Sequence, residues 1–283
     1  MYKSLSIYVE LNPKILYTKK IKNHIINRDI FMELQRLYSY ARKAIDDYNL
    51  IEEGDKIAIG ISGGKDSTTL LYALAGLRRF YPKKFDIIAL TVNLSSGNMD
   101  FTPIVELCKE LDVYYEVIDT EIYDVIFNIR KEENPCSLCA KMRKGALNSR
   151  AKELGCNKIA YAHHRDDMVE TLFMSLIYEG RLHSFSPMSY LERMDLTLIR
   201  PLMYIPESEI KGFQNKYNVP VVKNTCPADG YTKREYTKNL IERLQEENPG
   251  LKERAFTAIL GANFPGWPEK NTSHRNSRKN NNH

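Results

Sequence analysis

The chain has 283 residues, 43% hydrophobic and 27% charged, enough to bury one large core or two small ones. No apolar run approaches the length of a membrane helix, and the N-terminal Met-Tyr-Lys-Ser-Leu-Ser-Ile-Tyr-Val-Glu lacks the apolar stretch of a signal peptide, so a cytoplasmic protein without membrane contact is expected. The net charge of +5 is uneven: residues 1–30 carry +4 and residues 269–283 carry +3, which leaves the body slightly acidic, and such ends suit either phosphate contacts or plain solvation.

Residues 1–30 form an N-terminal extension with only a weak strand-like alternation, Leu5 to Leu11, ending at Asn12-Pro13. Residues 31–50 read as an amphipathic helix with Phe31, Leu34, Leu37, Ala41 and Ile45 on one face. After the turn Glu53-Gly54-Asp55, the apolar run Ile57-Ala58-Ile59-Gly60-Ile61 breaks at Ser62 into Gly63-Gly64-Lys65-Asp66-Ser67. Further strand candidates lie at 87–94, 113–118, 158–162 and 196–202, with helical stretches at 67–80, 101–111, 121–132, 140–154 and 166–178. Continuous apolar strands alternating with helices predict an α/β fold over residues 31–205, a doubly wound parallel sheet of about five strands. Helical patterns at 206–217, 232–247 and 250–261 predict a small helical C-terminal appendage over 206–264. From 265 to 283 the chain turns to Pro, Asn, Ser, Arg and Lys, which predicts a disordered basic tail.

The turn at 62–67 is the strongest signal. A strand, a glycine turn and a helix in that order aim backbone N–H groups and a helix N-terminus at one point, which suits a nucleotide phosphate. Ser62 and Ser67 add hydroxyls and Lys65 a cation. The spacing is neither GxxxxGK[ST] nor GxGxxG, which argues against a kinase-like ATPase and a dehydrogenase. The bland alternative is an ordinary capped strand-to-helix turn. Two more polar clusters follow strand ends: Asn93-Leu94-Ser95-Ser96-Gly97 and His163-His164-Arg165-Asp166-Asp167. Asp166 and Asp167 can hold Mg²⁺, which ATP chemistry requires, or simply favour a helix N-terminus.

Five cysteines are an odd number, and their spacing matters more than their count. Cys136 and Cys139 form a C-x2-C pair, and Cys226 is a plausible distant partner. Three thiolates suit a 4Fe-4S cluster with one iron left open; a redox dithiol or two inert cysteines are the competing readings. Cys108 and Cys156 read as core or helix-end residues. Beyond the pair, Lys141, Arg143, Lys144, Arg150 and Lys152 leave a basic helix face, either for a polyanion or for water.

Ser-Gly-Gly-Lys-Asp-Ser resembles the signature of the PP-loop ATP pyrophosphatase superfamily, and the wider pattern resembles the tRNA 2-thiocytidine synthetase family. That resemblance runs from about Arg42 to Pro265 and includes Val92-Asn93-Leu94, the Cys136/Cys139 pair, Arg143-Lys144-Gly145-Ala146-Leu147, His163-His164-Arg165-Asp166-Asp167, Arg200-Pro201-Leu202 and Asn248-Pro249-Gly250. It implies ATP on residues 62–67 with Asn93 and His163 nearby, Mg²⁺ at Asp166 and Asp167, and catalytic roles for Lys65, Asp66, Asp166 and Asp167. It also implies a 4Fe-4S cluster on Cys136, Cys139 and Cys226, and tRNA contacts from Lys141, Arg143, Lys144 and Arg150. The implied activity is tRNA thiolation: adenylation of a cytidine C2 oxygen at position 32 of the anticodon loop, then replacement by sulfur. A cysteine desulfurase or inorganic sulfide would donate the sulfur, and a homodimer is a further expectation. The sequence departs from the family in having one cysteine, Cys226, where a second C-x2-C is usual. A lysidine synthetase-like ligase, a thiolase acting on another nucleoside or small sulfur acceptor, and a non-catalytic nucleotide- or RNA-binding module are the alternatives.

Overall fold

The computed structural model describes residues 28–94, 99–130, 135–222, 233–262 and 264–271. Ser95, Ser96, Gly97, Cys226, the strand-like segment at Leu5–Leu11 and residues 272–283 therefore lie outside the described residues.

Helix α1 (Arg28–Tyr48) buries Leu37, Ala41, Ala44, Ile45 and Tyr48, the helical-spacing face expected from the sequence. The chain then winds through β1 (Asp55–Gly60), α2 (Lys65–Phe80), β2 (Phe85–Asn93), α3 (Thr102–Glu110), β3 (Tyr114–Asp119), α4 (Pro135–Glu153), β4 (Lys158–Ala160), α5 (Arg165–Met174), β5 (Met188–Leu191) and β6 (Leu196–Ile199). One sheet results, in the order β3-β2-β1-β4-β6-β5. All neighbours are parallel except β5 and β6. The doubly wound α/β expectation holds, with six strands among the described residues where about five were expected. The extra strand, β5, is a four-residue antiparallel edge beside β6, too short and too mixed in polarity to announce itself.

Two apolar layers flank the sheet. One contains Ile57, Ile59, Leu70, Leu74 and Ile104, and residues of α6 (Glu207–Tyr217), α7 (Lys233–Glu247) and α8 (Leu251–Gly261) join it through Ile210, Phe213, Ile241, Phe256 and Ile259. The other packs Leu147 and Ala151 of α4 on Ala58, Ile88, Leu90, Ile159 and Leu198. The expected helix at 121–132 is instead a π-helical turn over Asp124–Ile129. Residues 265–271, the first part of the expected structureless tail, are instead held on the fold. Phe264 packs on Trp267, and Lys270 reaches Asp47 Oδ2 at 2.7 Å while the Asn271 N–H donates to Asp47 O.

Helices α1 and α2 approach closely at Gly76, where a Cβ would overlap the Tyr38 ring. Gly76→Ala is expected to destabilise the protein by about 1–3 kcal/mol in urea unfolding. Tyr38→Ala in the same chain should recover part of the loss; an unchanged midpoint for Gly76→Ala alone would show that this contact is loose.

Candidate functional site

Strand β1 stands between β2, which the chain reaches through α2 on one face of the sheet, and β4, which it reaches through α4 on the other. The crevice at the carboxyl ends of β1 and β4 is therefore the expected ligand site, and both sequence motifs lie there. Residues 61–64 leave β1 and start α2. Gly63 has φ +82°, the left-handed region, and its carbonyl accepts from the Val222 N–H at 2.8 Å. A Cβ at Gly63 would lie 2.8 Å from Val222 Cβ, so glycine lets residue 222 cross directly over the loop. The Ser62 N–H donates to Ser67 Oγ at 3.2 Å, and Ser67 Oγ donates to Gly64 O at 2.9 Å, which closes the turn. Gly64, the N-cap of α2, makes no side-chain cap bond, which leaves the cap open to an anion, although the carboxylate of Asp66 already stands in the first turn.

Lys65 opens α2. Its ammonium lies 3.1 Å from Asp66 and 3.1 Å from Glu207 Oε1. Burial disfavours the charge, but Asp66 and Glu207 outweigh it and raise Lys65 above its usual value. Asp66 Oδ1 is buried and has no aligned hydrogen-bond donor, although the Lys65 ammonium is within ion-pair distance. An orphaned carboxylate oxygen facing a phosphate-type loop fits a Mg²⁺ ligand.

The second motif reaches the loop through His164 and Asp167, whereas His163, Asp166 and Asp167 were the residues expected there. His164 is the N-cap of α5 and is 4% exposed; its Nδ1 accepts from the Asp167 N–H at 3.4 Å, and Asp167 Oδ2 accepts from the His164 N–H at 2.9 Å. With Nδ1 an acceptor, Nε2 carries the proton, and it faces Asp66 Oδ1 at 3.8 Å and Asp167 Oδ2 at 3.5 Å. His163 instead stacks on Phe185 at 4.3 Å and accepts from Arg200 Nε at 3.1 Å. Burial, then Arg200, Arg234 and Lys144, push His163 far below its usual value, so it is neutral at pH 7.

Asp166 is also turned away, which removes it from the expected Mg²⁺ pair. It accepts from the Glu207 N–H at 2.8 Å and meets Lys252 at 3.2 Å, fastening α5 to α6 and α8. Consecutive helical residues point about 100° apart, so one carboxylate faces the crevice and the other the packing side. Among the described residues no group of three His, Cys, Asp or Glu side chains is placed to hold a metal ion. Asn93 ends β2 on the same sheet edge, with its amide donating to Asp119 at 2.8 Å.

The thiol pair lies in the first turn of α4, not in a turn before it, because Pro135 starts the helix earlier than expected. Cys136 and Cys139 are three apart and so share a helix face; Cys136 is exposed, Cys139 half-buried, and neither is in a disulfide. Helix α4 runs antiparallel to β1. Lys56 at the start of β1 donates to Leu154 O, and Leu147 lies against Gly60 at the end of β1, where a Cβ would come within 2.9 Å of its Cδ2. At 1.5 Å per residue, Cys139 and Cys136 stand about 12 and 17 Å further along the axis, beyond the carboxyl edge of the sheet. Cys108 and Cys156 are buried, and burial pushes their thiols up to about 12 and about 11, which excludes them as ready thiolates. Lys141 and Lys144 are exposed on α4 and Arg143 is half-exposed. Arg150 differs from expectation: it is committed to buried Glu116 at 2.7 Å and to Glu153 at 2.8 Å, so it ties α4 to β3 and is not open to a phosphate.

Sequence reasoning missed three charged residues here. Arg200 is 8% exposed, donates to His163 Nδ1 and Ser186 O, lies over Phe185, and has no carboxylate partner among the described residues. Arg234 bridges Asp167 and Glu170 from α7. Glu207 gathers Lys65, Lys238 and Lys211; burial opposes its ionisation, but Lys238 and Lys65 outweigh it and bring the carboxyl down to about 2. Of these, only Arg200 stands in a sequence motif, Arg-Pro-Leu, that could have drawn notice.

The sequence matches the PP-loop domain family over residues 33–244. It is 39% identical over 220 residues to the tRNA-cytidine(32) 2-sulfurtransferase of Geobacter metallireducens, covering 77% of this chain and 86% of that relative. To the protein of the same name from Teredinibacter turnerae it is 34% identical over 236 residues, covering 82% and 78%. The solved structure of the U34-tRNA thiolase NcsA from Methanococcus maripaludis, with its 4Fe-4S cluster, superposes over 88% of both chains with a TM-score of 0.67 at 23% identity, a likeness of fold. The chain belongs to the PP-loop family of tRNA-cytidine(32) 2-sulfurtransferases.

Proposed function

We propose that the protein is a cytoplasmic ATP-dependent tRNA sulfurtransferase that replaces the C2 oxygen of cytidine 32 with sulfur. The observation that carries this reading is a convergence. The glycine loop after β1, the His164–Asp167 cap after β4 and the thiol-bearing first turn of α4 all lie on one edge of the sheet. The relatives supply the substrate class.

In this reading the ATP phosphates lie on the backbone N–H groups at the start of α2, with Ser62 and Ser67 shaping the turn. Lys65 offsets phosphate charge, and Asp66 and Asp167 would hold the Mg²⁺ that accompanies ATP. The cytidine C2 oxygen attacks the α-phosphorus and the bond to pyrophosphate breaks. Sulfur then attacks C2, and AMP leaves with the original oxygen. Cys136, Cys139 and Cys226 would hold a 4Fe-4S cluster, which supplies an iron with an open position for that sulfur. In sequence, Cys226 follows by four residues Val222, whose N–H donates to Gly63 O of the loop. Lys141, Arg143 and Lys144 would meet tRNA phosphates, and the uncompensated guanidinium of Arg200 adds to the same positive field. Lys144 is held below its usual value by burial, then by Arg200 and Arg234, as expected where cations are gathered for an anionic partner.

Asp66→Ala is expected to lower tRNA-dependent pyrophosphate release by roughly two orders of magnitude or more; unchanged release would remove the loop from the chemistry. Protein purified without oxygen should contain iron and labile sulfide. Cys136→Ala should lose both, together with 2-thiocytidine in reacted tRNA, whereas zinc alone in the wild-type protein would exclude the cluster. If Cys136→Ala retained full activity, the ligase reading would take its place. Replacing Lys141 and Lys144 together by Ala should weaken tRNA binding and flatten the slope of log affinity against log salt by about 1 to 2. An unchanged slope would make this helix face a solvated one.

A further inference from the structure

Glu207 is the first residue of α6, and neither sequence pattern nor family motif marks it. It is 6% exposed, and its backbone N–H is held by Asp166 at 2.8 Å. Its Oε1 lies 3.1 Å from Lys65 of the loop and 3.1 Å from Lys238 of α7, and its Oε2 lies 3.2 Å from Lys211 one turn along α6. Three lysines on one buried carboxylate are more than its charge needs.

That surplus has a consequence for nucleotide binding. In a two-membered buried ion pair, drawing the lysine away leaves a bare carboxylate, which is strongly unfavourable. Here Lys65 can leave while Lys211 and Lys238 keep Glu207 paired. We propose that Glu207 is a positioning residue that holds Lys65 when no nucleotide is bound and exchanges it for the phosphates of ATP. This rests on the reading of residues 62–67 as the ATP site. On exchange, Glu207 closes on Lys238.

The sign of the effect separates this role from simple helix fastening. Glu207→Gln keeps the side-chain size and an acceptor for the lysines but removes the charge that competes with phosphate. ATP with Mg²⁺, titrated calorimetrically into the full chain without tRNA, should bind Glu207→Gln roughly three- to tenfold more tightly than wild type. Turnover should move the other way, with both KM for ATP and kcat lowered, because Lys65 is no longer guided to one place. Lys65→Ala should bind ATP more weakly than wild type and abolish the gain from Glu207→Gln in the double variant. Lys238→Met should act oppositely to Glu207→Gln: with one competitor fewer, Glu207 holds Lys65 harder, and ATP binds several-fold more weakly even though the carboxylate remains. Equal or weaker ATP binding by a folded Glu207→Gln would overturn the exchange and leave Glu207 a fastening residue. If Glu207→Gln does not fold, Lys238→Met decides, and unchanged or tighter ATP binding by that variant overturns the proposal. Wild-type ATP affinity in Lys65→Ala would instead overturn the reading of the loop itself.

Discussion

The position of β1 is the constraint from which the site follows. It stands between β2 and β4, and the helices that lead into those two neighbours, α2 and α4, lie on opposite faces of the sheet. A crevice at its carboxyl end is unavoidable, because no helix can cover the point where the two windings part. Glycine at 63 then lets residue 222 lie across the loop, and Leu147 against Gly60 sets the height of α4. Each of these contacts is a close approach that a side chain would block. The loop, the residue crossing it and the thiol-bearing helix are therefore fixed to one strand end by backbone geometry more than by polar bonds.

Much of this was legible in the sequence. Continuous apolar runs at 57–61 and 87–94 can only be strands buried on both faces, and a glycine turn between strand and helix carries its own meaning. What was lost follows a pattern. Strand β5 lies at an antiparallel edge, where four mixed residues give no periodicity. The start of α4 was hidden because Asn-Pro reads equally as a loop and as a helix opening, and the difference decides whether Cys136 and Cys139 sit on a turn or on a helix face. His163 and His164, like Asp166 and Asp167, are adjacent and chemically alike. Which member of each pair faces the loop depends on where α5 begins, a question of one residue. Glu207 was invisible for another reason: two of its three lysine partners are 142 residues before it and 31 after it, and an acidic residue at a helix start has an ordinary explanation in the helix dipole.

Electrostatics links the visible and the hidden parts. Asp66, Asp167, Glu170 and Glu207 crowd one end of α5 and α6, and crowding of that kind raises the energy of every carboxylate in it. Glu170 shows the strain, raised by burial and by Asp167 despite Arg234. Glu207 shows the opposite outcome because it holds lysines from α2, α6 and α7. The cations on Arg234, Lys238 and Lys252 come from the C-terminal helices, so α7 and α8 complete the charge balance of a site whose backbone belongs to the sheet.

A site balanced in this way binds a polyphosphate by substitution and not by filling a vacancy of charge. The open N-terminus of α2 attracts phosphate, but the nearest cation, Lys65, is already paired on two sides. A triphosphate must therefore draw Lys65 out of an existing pair, and it needs a metal ion to approach Asp66 without repulsion. Both requirements weaken unspecific binding of small anions, which bring neither the charge to compete with Asp66 and Glu207 nor a metal. The face proposed to meet tRNA differs, because Lys141, Arg143, Lys144 and Arg200 have no acidic partner to give up among the described residues, whereas Arg150 and Lys152 are held by Glu116, Glu153 and Asp195. On the proposed reading, polynucleotide attraction is built into the fold in advance, whereas nucleotide binding is conditional on an exchange of ion pairs. That difference gives the two substrates separate electrostatic controls on one sheet edge.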